Sequence, residues 1–306
     1  VSKTRFAIIT LMENKSRPRF SVVIPAYNEA PYLPQTLASL KKQNFAGEVE
    51  IIVVDNNSTD LTADIARSLG AKVVEEKRPG VCFARQKGTE VASGEIVVST
   101  DADTQFHVDW LSKIDGMFQK DEEAVAVVGS CHYTDGPIWG TLYPYALFGI
   151  ISTIYRITGK TYYATATNIA FKKEHWIGYD TKLTQGGDEV DLIRNLRSKG
   201  RVVFVNGNPT LTSARRLARG FIYNFFVTFL IYYLLEYNLS RHFKRSIIGT
   251  APHFRNDYSP KILSVINALI VATLAIALIT QQNARHYVVR ETTQVIKKTT
   301  QVIDRR

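Results

Sequence analysis

Two aspartates, Asp101 and Asp103, close the apolar run Glu95-Ile96-Val97-Val98-Ser99-Thr100, and alternate positions of an extended chain point to one side. Two carboxylates set that way repel each other unless a cation joins them. A hard divalent ion, with a diphosphate completing its octahedron, is the economical partner. Two more polar clusters follow apolar runs: Pro25-Ala26-Tyr27-Asn28-Glu29 after Ser21-Val22-Val23-Ile24, and Asp55-Asn56-Asn57-Ser58 after Glu50-Ile51-Ile52-Val53-Val54. Each alone is also a helix cap, through Asn28 or Glu29 in one and Ser58 or Asp60 in the other. Further on, in Gly187-Asp188-Glu189-Val190-Asp191-Leu192, Asp188 suits a helix cap and Asp191 complements the helix dipole. Glu189 is needed for neither.

The elements that must carry these groups alternate from Phe20 to Val205 as strand and helix, the pattern of an α/β fold with a mostly parallel sheet. Leu33, Leu37 and Leu40 recur at helical spacing after Pro31; Leu61, Ile65 and Leu69 do the same before Gly70. Lys72 to Glu75 makes a short strand, Val81 to Ala92 a helix, and Glu95 to Thr100 a fourth strand. Such units gather ligands at the carboxyl ends of their strands, where the polar clusters stand. Ile138 to Ile157, apolar and aromatic but interrupted by Gly140, Pro144 and Gly149, suits a core helix or one lying on a membrane. Ala164 to Phe171 reads as strand, Asp188 to Lys199 as helix, and Val202 to Val205 as a last strand before a turn at Asn206-Gly207-Asn208-Pro209.

With Gly80, Ala84-Arg85 and Ala92-Ser93-Gly94-Glu95 added, the clusters in this order resemble the nucleotide-sugar half of a family 2 glycosyltransferase of the inverting GT-A fold, over about residues 20 to 215. The resemblance implies a Rossmann-like, mostly parallel sheet. It implies that Pro25, Tyr27, Glu29, Asp55 and Asn57 surround the nucleoside, that Arg85 faces the nucleotide, that Asp101 approaches the ribose or donor sugar, and that Asp103 holds Mg²⁺ or Mn²⁺ on the diphosphate. Ala166-Thr167-Asn168-Ile169-Ala170-Phe171 is similar to the family segment beneath donor sugar and acceptor, which marks Thr167 and Asn168; Trp176 lines the acceptor site or serves as a core aromatic. In the family's Gly-Glu-Asp-x-Asp-Leu the acidic pair stands in the reverse order, so Glu189 takes the catalytic-base position and Asp188 is its rival. Arg215 and Arg216 in Thr212-Ser213-Ala214-Arg215-Arg216 reach either the diphosphate or anionic lipid.

Composition bounds these readings. In 306 residues, 45% are hydrophobic and 22% charged, which excludes disorder or low complexity for most of the chain. A mean hydropathy of -0.08 excludes a polytopic membrane bundle. The net charge of +10 attracts nucleic acid, acidic headgroups or phosphorylated ligands alike. Two cysteines, Cys82 and Cys131, form no disulfide framework. After Arg219 the composition shifts: Phe221 to Leu235 is rich in aromatics, as at a membrane interface, and Ile262 to Ile279 carries no charge and meets the transmembrane length. The expected organisation is therefore a lead-in (1–19), a GT-A domain (20–215), C-terminal membrane-associated helices comprising an interfacial helix and an anchor (216–283), and a polar tail (284–306). The expected activity is metal-dependent inverting transfer of a sugar from a nucleotide-diphosphate donor to a membrane-linked glycan or lipid, by a membrane-associated enzyme whose catalytic domain is cytoplasmic. The competing readings are a polyprenyl-phosphate glycosyltransferase, a sugar-phosphate nucleotidyltransferase, which lacks its Gly-rich basic opening loop here, and a basic nucleic-acid binder, for which no recognition motif stands.

Overall fold

A computed structural model describes residues 17–181 and 188–220, with scattered positions between 222 and 243. Eight strands form one sheet: β1 (Phe20–Ala26), β2 (Val49–Asp55), β3 (Lys72–Glu75), β4 (Ile96–Ser99), β5 (Thr104–Gln105), β6 (Ala124–Tyr133), β7 (Ile169–Lys172) and β8 (Arg201–Thr212). Their order is β3-β2-β1-β4-β7-β6-β8-β5. Strands β1 to β4 pair in parallel, as does β6 with β8, while β7 runs antiparallel to both neighbours and β5 antiparallel to β8. The parallel half is the doubly covered, β-branched type: Val22, Val23 and Ile24 are all fully buried, one to one face and two to the other.

Helices α1 (Leu33–Lys41), α2 (Thr62–Ser68) and α4 (Trp110–Lys120) cover one face with Leu33, Leu37, Leu40, Ala66, Trp110, Leu111, Ile114 and Phe118. Helices α3 (Val81–Val91), α5 (Ile138–Thr158) and α6 (Asp188–Arg197) cover the other with Ala84, Phe148, Ile151, Leu192, Ile193 and Leu196. α3 lies close to the sheet because Gly88 has no side chain; a Cβ there would meet Val23 at 2.3 Å.

Several expectations need correction. Helix α2 buries Thr62 and Ala66, and Leu61 is exposed outside it, since the short helix turns its small residues to the sheet. The strand expected from Ala164 begins only at Ile169. The turn expected at Asn206 to Pro209 lies inside β8, where a register shift between Gly129 and Cys131 of β6 absorbs the irregular stretch. Ser130 Oγ donates to Asn206 O there, and Asn168 Nδ2 to Asn208 O, so side chains replace the missing ladder bonds.

The chain divides into two compact units, Val1–Pro252 and His253–Arg306. The second, with the expected anchor at Ile262 to Ile279 and the polar tail, lies outside the described residues, as do most of the lead-in and of Phe221 to Leu235. Among the described residues no helix is long and apolar enough to cross a membrane.

Candidate active site

The carboxyl ends of β1, β2 and β4 lie side by side, and their loops are tied into one rim. Asn28 and Asn57 hold left-handed backbone, φ 52° and 66°, which asparagine tolerates better than most side chains. The Asn28 amide accepts from Thr59 N at 2.6 Å, Ser58 Oγ accepts from Asn28 N, and Thr62 Oγ1 from Glu29 N. Buried Asn56 donates to Glu76 O and Arg78 O and accepts from Gly80 N. Asn57 spends its amide on Lys77 O, 3.0 Å away. The hydrogen bonds of Glu76 to Arg78 hold its carboxyl down at about 2. Inside this rim Tyr27 is exposed at the mouth, while Pro25 and Asp55 are half-buried at the strand ends.

The two aspartates after β4 part company. Asp101 Oδ1 accepts from Arg85 Nη2 at 2.8 Å. Asp103 Oδ2 pairs with Arg215 Nη2 at 2.9 Å and its Oδ1 accepts from Thr212 Oγ1. Arg215 stands in a short 3-10 turn after β8 (Arg215–Arg219) and also makes a bidentate fork on Glu29, 2.9 and 2.7 Å, while its guanidinium lies 4.6 Å from the Tyr32 ring. Burial would lower the Arg215 pKa, but the bonds to Glu29 and the charge of Asp103 raise it.

Arg85, expected at the nucleotide, is engaged by two carboxylates. Its side chain is 5% exposed, and its second nitrogen donates to Asp188 at 2.5 Å. Arg85 of helix α3 thus joins the carboxylate after β4 to the first residue of α6, which lies 103 positions beyond Arg85 itself. Burial would raise the pKa of Asp188; the Arg85 charge and bonds from Glu189 and Arg85 outweigh it and hold the group ionised. Burial, and after it the neighbouring Asp188 charge, push Glu189 well above the ordinary carboxylate range. The two neighbouring carboxyls are thus pushed in opposite directions, Asp188 toward its ionised form and Glu189 toward its protonated form. Of the two rivals left open by the reversed order, Asp188 is therefore the one paired with Arg85, and Glu189 is the one whose proton affinity burial raises.

The remaining expected residues divide. Thr167 is buried, its hydroxyl 3.0 Å from that of Thr210 and its carbonyl accepting from Thr100. Asn168 lies 2% exposed, bonded to Trp110 Nε1, Ser130 O and Asn208 O, so its side chain braces the core. Trp176 is half-buried against the core on the α3, α5 and α6 side. The Arg216 side chain lies outside what the structure describes. Tyr32, whose ring lies against Arg215, was unmarked in the sequence because only its partner belongs to a motif; Thr212, which donates to Asp103, heads the segment that was noted for its two arginines alone.

These groups suit a divalent ion. Asp101 and Asp103 supply hard oxygen donors, and Asp103 already carries a cationic partner. Among the described residues no cluster of three or more His, Cys, Asp or Glu side chains forms a cage. The protein share of an octahedron is one or two carboxylates, and the rest falls to phosphate and water.

The sequence model described as "Glycosyl transferase family 2" matches residues 21–176. Among curated proteins, glycosyltransferase AglE of Haloferax volcanii is 35% identical over 103 residues, 31% of this chain and 34% of that protein. The 4,4'-diaponeurosporenoate glycosyltransferase of Staphylococcus haemolyticus is 36% identical over 102 residues, 31% of this chain and 27% of that protein. The matched stretch spans about a third or less of these relatives. Among solved structures, the mannosyltransferase PcManGT of Pyrobaculum calidifontis, in complex with GDP-Man and Mn2+, superposes with TM-score 0.59 at 24% identity over 78% of this chain and 67% of that one. S. aureus TarS 1-349 in complex with UDP gives TM-score 0.53 at 19% identity over 66% and 63%. Both likenesses speak for the fold.

Proposed function

The chain belongs to glycosyl transferase family 2, and from that premise we propose that it moves a sugar from a nucleoside-diphosphate donor to a hydroxyl of a membrane-linked glycan or lipid, with inversion. The observation that supports the reading is the guanidinium of Arg85, which bonds both Asp101 after β4 and Asp188 at the start of α6 and so holds Glu189 near the strand-end carboxylates.

The acceptor oxygen attacks the anomeric carbon in line as the bond to the β-phosphate oxygen breaks. Its proton goes to the Glu189 carboxylate, and the nucleoside diphosphate departs with the bonding electrons. A divalent ion such as Mg²⁺ or Mn²⁺, when bound, would supply positive charge to offset that of the leaving diphosphate. Asp103 and Asp101 are the residues that would hold it, Glu29 and Asp55 line the nucleoside side, and exposed Tyr27 offers a ring to the base. Arg215, already a fork for two carboxylate oxygens of Glu29, has the geometry to take phosphate oxygens instead. The uncharged segment Ile262 to Ile279 supports anchoring to a membrane, with the catalytic domain on its cytoplasmic side.

A second reading has its own support. Glu189 is 6% exposed and burial pushes its carboxyl toward the protonated form, whereas a polyprenyl phosphate, already ionised, would need no base. Thermal unfolding in the presence of UDP-, GDP- and dTDP-sugars, with and without Mn²⁺, tests the donor. One nucleotide should raise the midpoint, more so with metal, and Asp103→Asn should lose the metal-dependent part. No shift with any nucleotide refutes the proposal, and comparing a glycan with a polyprenyl phosphate as acceptor separates its two forms.

A further inference from the structure

Helix α5 is apolar on both sides. Its inner side packs Phe148 and Ile151 into the core. Its outer side presents Leu142, Ala146, Ile150, Ile154 and Ile157 at helical spacing, with Ile157 79% exposed and Leu142 63%. Other exposed apolar residues, such as Leu61, Val108 and Ile177, are single and need no partner. A stripe that runs the length of a 21-residue helix is different, because a helix apolar all round is ordinarily covered. The helix does not meet the criterion for a membrane span, so a lipid partner would meet it lengthwise.

We propose that this face of α5 is the surface on which the catalytic domain lies against an anionic bilayer. The inference rests on the reading of a membrane-linked acceptor and adds where the domain touches. From Ile138 to Tyr163 the chain has no acidic side chain and two basic ones, Arg156 and Lys160, toward the end of the helix. Tyr143 and Tyr145 flank the stripe, and the exposed Tyr162 ring lies under the Arg197 guanidinium at 4.5 Å. Apolar stripe, tyrosines and basic end together match an interfacial helix and complement acidic headgroups.

The location fits delivery of an acceptor. Asp135, just ahead of α5, accepts from Ser213 Oγ and Ala214 N, the residues leading to Arg215. Gly136 and Gly140 let the chain come close; a Cβ on Gly140 would lie 2.7 Å from Leu217. The start of the stripe is therefore joined to the segment that reaches Asp103 and Glu29, and an acceptor head at the bilayer surface arrives beside the donor groups.

The test is site-specific fluorescence on the full chain. Cys82 and Cys131 are free but buried, so Ile150→Cys or Ile157→Cys gives one reactive thiol for an environment-sensitive dye. Lys120→Cys on α4, which covers the opposite face of the sheet, is the control. With vesicles of phosphatidylcholine and phosphatidylglycerol bearing spin-labelled acyl chains, both α5 positions should shift to the blue and lose intensity, and Lys120 should not. Cosedimentation of the protein with vesicles while the α5 dyes stay unquenched overturns the proposal and leaves membrane association standing. Failure to cosediment at all removes the membrane reading and the proposal with it. Blue-shifted α5 dyes before lipid is added, unchanged on its addition, identify a protein surface as the occupant and likewise overturn it; dilution then separates a second copy from the chain's own segments.

Discussion

Two arginines grip two pairs of carboxylates at this site, and burial makes them different devices. Arg85 is 5% exposed between Asp101 and Asp188; Arg215 is 30% exposed between Glu29 and Asp103. The buried clamp has no water to replace a lost partner, so it fixes geometry and cannot let go without leaving charges stranded. The half-exposed clamp can trade one anion for another at small loss. The lesson is that charge pairing alone does not distinguish a brace from a binding group; access to solvent and ligand does.

The largest expected effect lies beside the buried clamp. Glu189→Gln keeps size and hydrogen bonding but cannot take a proton, so kcat for a hydroxyl acceptor should fall by about 10²–10⁴ with donor affinity little changed. Asp188→Asn producing that loss while Glu189→Gln does not would invert the assignment. An unchanged rate with a polyprenyl-phosphate acceptor would favour the second reading.

Next come the clamps themselves, compared by urea unfolding. Arg85→Gln strands Asp188 in the interior and should destabilise by about 3–5 kcal/mol. Arg215→Gln, at the solvent edge, should change stability by only about 1 kcal/mol or less. The same variant should bind Mn²⁺ more tightly in the absence of nucleotide, by about fivefold for roughly 1 kcal/mol of relieved competition at Asp103, read as free-ion signal by electron paramagnetic resonance. Equal losses of stability, or unaltered metal affinity, would erase the distinction.

The smallest effect is a displacement along the pH axis. Glu189 acts when deprotonated, and burial followed by the Asp188 charge raises its pKa, so kcat/KM should fall as pH drops through a value above the ordinary carboxylate range. Asp188→Asn removes the second cause and should move that limb toward acid. Because the folded state holds the Glu189 proton more tightly than the unfolded chain, this group's contribution to stability is present at low pH and is lost as pH rises through its folded pKa. An acid limb that stays in place in Asp188→Asn would assign it to another group.

The parallel half of the fold and the strand-end polar clusters are legible in the residues alone. Runs such as Val22-Val23-Ile24 and Val97-Val98 have one stable use, as doubly covered strands, and a polar cluster after each must stand at the carboxyl edge. α4 and β6 carried no motif and passed unread, although they complete the sheet and hold the bulge that sets Asn208. Asn168 looked like a sugar contact because its neighbours match a family segment, yet its hydrogen bonds are all internal. Who pairs with whom is settled by the folding of distant segments onto one another. Arg85 and Asp188 are 103 residues apart and Arg215 and Glu29 are 186 apart, separations over which no local spacing rule acts. Local sequence fixes which groups a strand end or helix start presents; the desolvation that turns one arginine into a brace and raises the proton affinity of one glutamate arises only when distant elements close over them.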